Sequence, residues 1–267
     1  MKQSFALLIF LIASTFASAQ TADCTALTHQ ALELSGVNQS LGEINELLSS
    51  DDFLRQIQGG APSDQFLTMF KPIMEKDFNA DLLRTEVQKR MVAHCDPEQM
   101  RQAVARMQTP FVVKMLAFEA ATNTPEGREK LKRYIRMAQA VPPTDDRMDD
   151  LDALDRSTGS SEFAADSVIA IVRGMMAGMG APADIVNQIQ AHRKDLIQQM
   201  QNTVEISLSV TYHGVTRPEL RQYAKEMSQQ PLKGFFAQTR KAMLEVVEEQ
   251  SKVMGQDLKA QLGVPSS

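Results

Sequence analysis

The sequence HCDPEQMRQAVARM spans residues 94–107, and HGVTRPELRQYAKEM spans residues 213–227. Each stretch begins with a histidine, continues through Pro-Glu, an apolar residue and Arg-Gln, and ends at a methionine. A proline follows the methionine and precedes an apolar run. Proline fits the first turn of a helix, because its missing N–H would be unpaired there anyway. We therefore interpret each stretch as part of one helix-break-helix unit that occurs twice in the chain.

The repeat is defined by the Pro-Glu pairs, the methionines, the second prolines and one lysine beyond each of them. These residues are Pro97, Glu98, Met107, Pro110 and Lys114 in the first copy, and Pro218, Glu219, Met227, Pro231 and Lys233 in the second. Chance similarity between amphipathic helices is the alternative. In this register residues 203–212, which alternate like a strand, align with the helical pattern at 85–93. We predict a helix there, because a repeat should keep its fold and a lone strand would have no partner.

Apolar residues recur at helical spacing along most of the chain, as in Val37, Leu41 and Ile44. Glycine and proline are scarce, with 13 and 11 among 267 residues, which argues against collagen-like, disordered and turn-rich all-β chains. The sequence therefore predicts an all-α fold, a multi-helix bundle built from two related helical halves.

The first residues, MKQSFALLIFLIASTFASA at 1–19, have the pattern of a signal peptide. One lysine precedes a short apolar run, and small residues lead to an expected cleavage between Ala19 and Gln20. The run is too short to cross a bilayer, although a permanent N-terminal anchor is the alternative. We expect an exported protein, periplasmic or secreted, without stable membrane insertion.

An acidic, polar stretch divides the remaining chain near its middle. It reads TDDRMDDLDALDRSTGSS and has only weak amphipathic character. We predict an N-terminal helical half at 20–143, an acidic linker carrying a short helix at 144–161, and a C-terminal helical half at 162–267.

Cys24 and Cys95 are the two cysteines of the chain. In an exported protein an even cysteine count favours a disulfide, here within the N-terminal half. His29 and His94 lie near these cysteines and suggest a zinc site as the alternative, but the usual short gaps between ligands are missing.

No established catalytic motif occurs in the sequence. We find neither a G-x-S-x-G elbow nor an H-E-x-x-H helix, and no glycine-rich phosphate loop. His94 and His213 precede breaks between helices, where a histidine can interact with terminal carbonyl groups. The formal net charge of −5 gives no basic surface for nucleic acid. We assign no catalytic residue and no cofactor, and an enzyme with an unrecognised site stays an alternative.

Methionine is the one residue type in excess, and Met175, Met176 and Met179 cluster within the sequence GMMAGMG at 174–180. Thioethers bind Cu(I), so periplasmic copper handling is an alternative function. Methionine also fills cores and adaptable apolar grooves. The spacing of Gly174 and Gly178 indicates a close contact between two helices.

The last predicted helix has apolar positions at alternating steps of four and three, which is the heptad spacing of helix pairing. These positions are Leu232, Phe236, Thr239, Met243, Val246, Gln250 and Val253. Packing within the chain and a homodimer through this C-terminal helix are the two interpretations.

The two segments Met107–Lys114 and Met227–Gly234 resemble the motif of a bacterial exported family, domain of unknown function 2059. That motif has an aromatic residue, Ser or Thr followed by Pro, a glycine and a basic residue; here methionine stands near the aromatic position and Val112 replaces the glycine. The resemblance covers about 60 residues in each half. It implies an all-helical exported protein and no known reaction.

Together these patterns predict a non-catalytic protein. We expect an interaction or apolar-ligand-binding module, whose methionine- and phenylalanine-rich surfaces accept a protein segment or an acyl-like ligand. An open apolar groove between the two halves is the structural feature that this expectation requires.

Overall fold

A computed structural model describes residues 21–48, 64–122 and 144–262, together with parts of 124–134. The regular elements in these ranges are all helices, which confirms the predicted all-α fold. In chain order they are α1 (21–34), α2 (Val37–Leu48), α3 (Asp64–Asp77), α4 (Ala80–Ala93), α5 (Pro97–Met107), α6 (Pro110–Thr122), α7 (Asp145–Thr158), α8 (Ser160–Met179), α9 (Ala183–Ala191), α10 (Arg193–Thr211), α11 (Arg217–Met227) and α12 (Leu232–Gln261). These helices offer no candidate for a membrane span. The predicted signal peptide, with Ala19 and Gln20, lies outside the described residues.

Helix α12 is the central element of the described fold. It is 30 residues long and contacts α3, α4, α5, α8 and α11. Leu232, Thr239, Met243 and Val246, four of its heptad positions, are buried against these neighbours. The interpretation as packing within the chain is therefore confirmed. The face that suggested a homodimer through the C-terminal helix is covered by the protein's own helices.

Glycines let α8 and α12 approach until their backbones touch. A Cβ atom on Gly178 would lie 2.1 Å from the carbonyl oxygen of Lys252, and one on Gly174 would lie 2.3 Å from that of Glu248. Gly255 of α12 faces α8 in the same way. Real Cβ atoms do not come this close to backbone, so only glycine fits. The close helix contact predicted from the Gly174 and Gly178 spacing is confirmed.

The acidic stretch at 144–161 is not a linker but mostly the packed helix α7. Leu151 and Leu154 are fully buried, and α7 packs along α11 and α10. The carboxylates that suggested a solvated segment have specific partners: Asp150 accepts a hydrogen bond of 2.6 Å from Nε of Arg217. Asp155 binds the start of α8, where its Oδ1 accepts from the backbone N–H of Ser161 at 2.8 Å.

The two Pro-Glu pairs begin helices of equal length, α5 and α11, which have 11 residues each. Asp96 caps α5 with its side chain, and Thr216 forms a capping box with Glu219 at the start of α11. The same positions of both helices face the core. The matching buried residues are Met100, Ala103 and Met107 in α5, and Leu220, Tyr223 and Met227 in α11.

The helices of the two predicted halves interlock. Helix α6 of the first half contacts α10 of the second, and α12 of the second half contacts α4 of the first. At one such crossing, Nε2 of Gln238 donates to the carbonyl oxygen of Met91 at 3.2 Å. Residues of 20–143 and 162–267 therefore share one continuous core rather than two separate ones.

Residues 203–211 belong to α10, so the predicted helix in this region is confirmed. The end of α10 is held by α7, because the guanidinium of Arg147 donates to the carbonyl oxygens of Tyr212 at 2.6 Å and Val215 at 3.0 Å. Carbonyl groups in the last turn of a helix lack intrahelical partners, and Arg147 supplies them here.

The predicted disulfide is also confirmed. Cys24 of α1 and Cys95, in the turn between α4 and α5, are bonded to each other across a separation of 71 residues. An ion pair of 2.7 Å between Asp23 and Arg101 lies beside the bond. The first described helix is thereby attached to the start of the first repeat.

Candidate functional site

The residues of the repeat motif serve mainly helix starts and packing. Pro97 and Pro110 are the first residues of α5 and α6, Pro218 is the second residue of α11, and Pro231 directly precedes α12. Met107 and Met227 are buried, whereas Lys233 is exposed.

The charged motif residues make local or interhelical contacts. Glu98 accepts from Arg101 within α5 at 2.7 Å. Lys114 of α6 donates to Glu219 of α11 at 2.6 Å, which ties the two copies together. This lysine, with the capping contacts of Thr216, lowers the pKa of Glu219 to about 2. These motif contacts account for structure rather than for a reactive site.

Equivalent residues of the two copies meet at the contact between α5 and α11. Arg106 and Glu226 each precede the motif methionine, and they form a two-pronged ion pair in which Nε of Arg106 lies 2.7 Å from Oε2 of Glu226. This ion pair joins the two segments that the sequence analysis aligned.

The cysteines and histidines of the alternative zinc site are not grouped as metal ligands in the described part of the chain. Cys24 and Cys95 are bonded to each other, so neither provides the thiolate that zinc requires. Within the described ranges no three His, Cys, Asp or Glu side chains lie together as a metal site. Met175 packs partly against the core, and Met179 is 37% exposed at the end of α8.

The interpretation of His213 as a helix-end residue is confirmed. Its Nδ1 lies 3.0 Å from the carbonyl oxygen of Val210, near the end of α10. His94 follows the last residue of α4, where its backbone N–H donates to the carbonyl oxygen of Met91 at 3.3 Å. Neither histidine lines the cavity described next.

A cavity of about 310 Å³ opens between α6, α10 and α12, with α7, α8 and α11 completing its wall. Its apolar wall is formed by Phe163, Leu208, Tyr212, Met227 and Phe236. Its polar lining consists of the hydroxyl residues Thr122, Thr158, Ser160, Ser207 and Thr211 with the two ionisable residues Glu119 and Arg240. Cavities of this size are typical of small-molecule sites. It lies where α6 of the first predicted half meets helices of the second.

Glu119 is held at one side of this cavity by two tyrosines. Its Oε1 accepts a hydrogen bond of 2.5 Å from the hydroxyl of Tyr212 and one of 2.8 Å from the hydroxyl of Tyr223. Burial raises the pKa of the Glu119 carboxyl, and the two hydrogen bonds oppose that shift. Burial also raises the pKa of both tyrosines well above the usual value, with the charge of Glu119 adding to the shift.

Arg240 brings a positive charge to the same cavity. It is half-buried on α12, and its Nη1 donates to the carbonyl oxygen of Thr158 at 2.5 Å. Burial lowers the pKa of this guanidinium, while the exposed Glu162 raises it through charge alone. Among the described residues no carboxylate lies within ion-pair distance of Arg240.

Sequence reasoning did not identify Glu119 or Arg240. Glu119 is a charged residue within an apolar helical run, whereas Arg240 stands beside Lys241; each is the ninth residue after the second proline of its repeat, Pro110 or Pro231. A pair of opposite charges at equivalent positions after the two prolines is the signal that could have identified them.

Comparison with protein-family models, with curated proteins and with solved structures finds no match to this chain. The resemblance to domain of unknown function 2059 therefore stays a prediction. The argument for function rests on the geometry of the cavity.

Proposed function

We propose that this protein is a non-catalytic binding protein whose ligand is a small, largely apolar molecule held in the cavity between α6, α10 and α12. The observation that supports this proposal is the cavity of about 310 Å³ with an apolar wall and a few polar groups. That combination is typical of sites that bury a ligand and orient it by a small number of polar contacts. Helix α6 of the first predicted half contributes Glu119 and Thr122 to the lining, and the residues of the apolar wall lie in the second half.

The lining favours binding over catalysis. Nucleophilic catalysis needs a nucleophile within hydrogen-bond distance of a base. The carboxylate of the lining, Glu119, instead accepts hydrogen bonds from Tyr212 and Tyr223. The hydroxyls of Thr158 and Ser160 bond to each other at 2.7 Å. These groups make their hydrogen bonds within the lining, which suits groups that orient a ligand.

Binding of a neutral fluorescent probe tests this function. N-phenyl-1-naphthylamine should bind the purified protein at one site, with increased fluorescence. Ser207→Phe places a large side chain in the cavity and should weaken probe binding at least tenfold. Asn202→Phe adds the same bulk to an exposed position of α10 and should leave binding unchanged. Absence of probe binding by the native protein, or full binding by Ser207→Phe, would overturn the proposal.

The same proposal places the protein outside the cytosol, in the periplasm or the external medium. Disulfides persist in oxidising compartments, and Cys24 is bonded to Cys95. Mass spectrometry of protein recovered from fractionated cells of its source should find a mature N-terminus at Gln20. An intact N-terminus in the cytosolic fraction would contradict this location.

A further inference from the structure

The guanidinium of Arg240 lines the cavity, and among the described residues no carboxylate forms an ion pair with it. It is half-buried, and its Nη1 is fixed by the carbonyl oxygen of Thr158. Glu162 is exposed and acts on it only through longer-range charge. A guanidinium removed from water without an ionic partner is costly, so a partner supplied by a ligand would relieve that cost.

Glu119 does not fill this role. Its Oε1 accepts from Tyr212 and Tyr223, and no ion pair joins it to Arg240 among the described contacts. Because Glu119 lines the same cavity, a ligand with two negative charges would meet repulsion there. The two residues together favour a ligand with a single negative charge.

The apolar wall defines the rest of the ligand. Phe163, Leu208 and Phe236 line the cavity beside Arg240. The hydroxyls of Thr158 and Ser160 lie at the same wall and already bond to each other and to the carbonyl oxygen of Leu154, so Arg240 is the charged donor of this wall. A planar guanidinium suits the two oxygens of a carboxylate.

We propose that the cavity binds a monoanionic amphiphile, with its carboxylate paired to Arg240 and its hydrocarbon chain against Phe163, Leu208 and Phe236. This inference rests on the proposed function and specifies its ligand class. Medium-chain fatty acids have this chemistry. Each methylene added to a chain that still fits should tighten binding about fourfold.

Competition against the neutral probe provides the test. Decanoate should displace N-phenyl-1-naphthylamine at a concentration at least tenfold lower than decanol, which has the same chain and no charge. Arg240→Gln should abolish this preference while decanol still binds, and Arg240→Lys should keep part of it. Arg156→Gln, on the exposed side of α7, is the matched control and should keep the preference intact.

The outcomes separate this inference from the proposed function. Equal binding of decanoate and decanol, or an unchanged preference in Arg240→Gln, overturns the carboxylate assignment and leaves the binding function standing. Failure of the native protein to bind the probe and both ligands overturns both. Should Arg240→Gln unfold, the native protein is compared with decanoate and its methyl ester: weaker binding of the uncharged ester supports the charge contact, and equal binding overturns it.

Discussion

Replacing Gly178 by alanine should destabilise the protein through the contact between α8 and α12. A Cβ atom at this position would lie 2.1 Å from the carbonyl oxygen of Lys252 and 2.9 Å from Cα of Gly255. Both neighbours are backbone atoms, so no change of side-chain rotamer relieves the clash. The two helices must instead move apart locally by about 1 Å, which forfeits up to half of the dispersion energy of the atoms that face each other.

The expected loss follows from two opposing effects. Overpacking a well-packed core costs about 1–3 kcal/mol, and a clash between two backbones belongs at the upper end of that range. Alanine gains about 1 kcal/mol over glycine in a helix interior. The free energy of unfolding of Gly178→Ala should therefore fall by about 2 kcal/mol, and its melting temperature by about 6 °C.

Urea unfolding followed by far-ultraviolet circular dichroism measures this loss. Gly214→Ala is the matched control, because its Cβ would meet only Phe118 Cε1 at 3.7 Å, an ordinary contact. The control should stay within about 0.5 kcal/mol of the native protein. Gly255→Ala should lower the free energy of unfolding less in the Gly178→Ala protein than in the native protein, because the two helices are already apart there. A Gly178→Ala protein as stable as the native one would refute the close contact.

Four further variants test the disulfide, the carboxylates of Glu119 and Glu219, and α7. Replacing Cys24 and Cys95 by serine should lower the free energy of unfolding by about 4 kcal/mol, because a separation of 71 residues is no longer crosslinked. Reductant should reproduce that loss in the native protein and leave the variant unchanged. Burial raises the pKa of Glu119, so its contribution to stability is complete below the unfolded pKa and is lost as pH rises through the folded pKa. Glu119→Gln should therefore gain stability relative to the native protein as pH rises above the ordinary glutamate pKa of about 4. Glu219→Gln should lose stability relative to the native protein at neutral pH, because the pKa of Glu219 is lowered to about 2 and its contribution to stability is lost only as pH falls towards that value. Identical pH profiles of the two variants in urea unfolding would contradict this prediction. Leu154→Ala removes a fully buried side chain and should cost about 3 kcal/mol in the same assay, whereas a loss below about 0.5 kcal/mol would indicate a solvated linker.

The features that could be predicted from the sequence depend on residues close together in the chain. Asp96 caps α5 through the backbone N–H groups two and three positions later, so Asp-Pro-Glu is sufficient to mark the start. Gly174 and Gly178 lie one helical turn apart and therefore share a face whatever the rest of the fold is. The helix at 203–211 could be predicted only from the repeat, because the local alternation of apolar and polar residues favours a strand.

The features that could not be predicted depend on partners distant in the chain. The acidic residues of α7 look solvated until Arg217 is brought to Asp150 across a separation of 67 residues. Glu119 and Tyr212 meet across 93 residues, and Arg240 lines the same cavity from yet another helix. Such a site depends on how three helices cross, and amphipathic periodicity specifies only which side of each helix is buried.

The central position of α12 has a consequence for the folding rate. Leu232–Gln261 follows α3, α4, α5 and α8 in the chain, yet these helices pack around it. Until this segment has joined them, their apolar faces stay exposed to water. Formation of the described core therefore requires contacts between residues far apart in the sequence, and a high contact order slows folding.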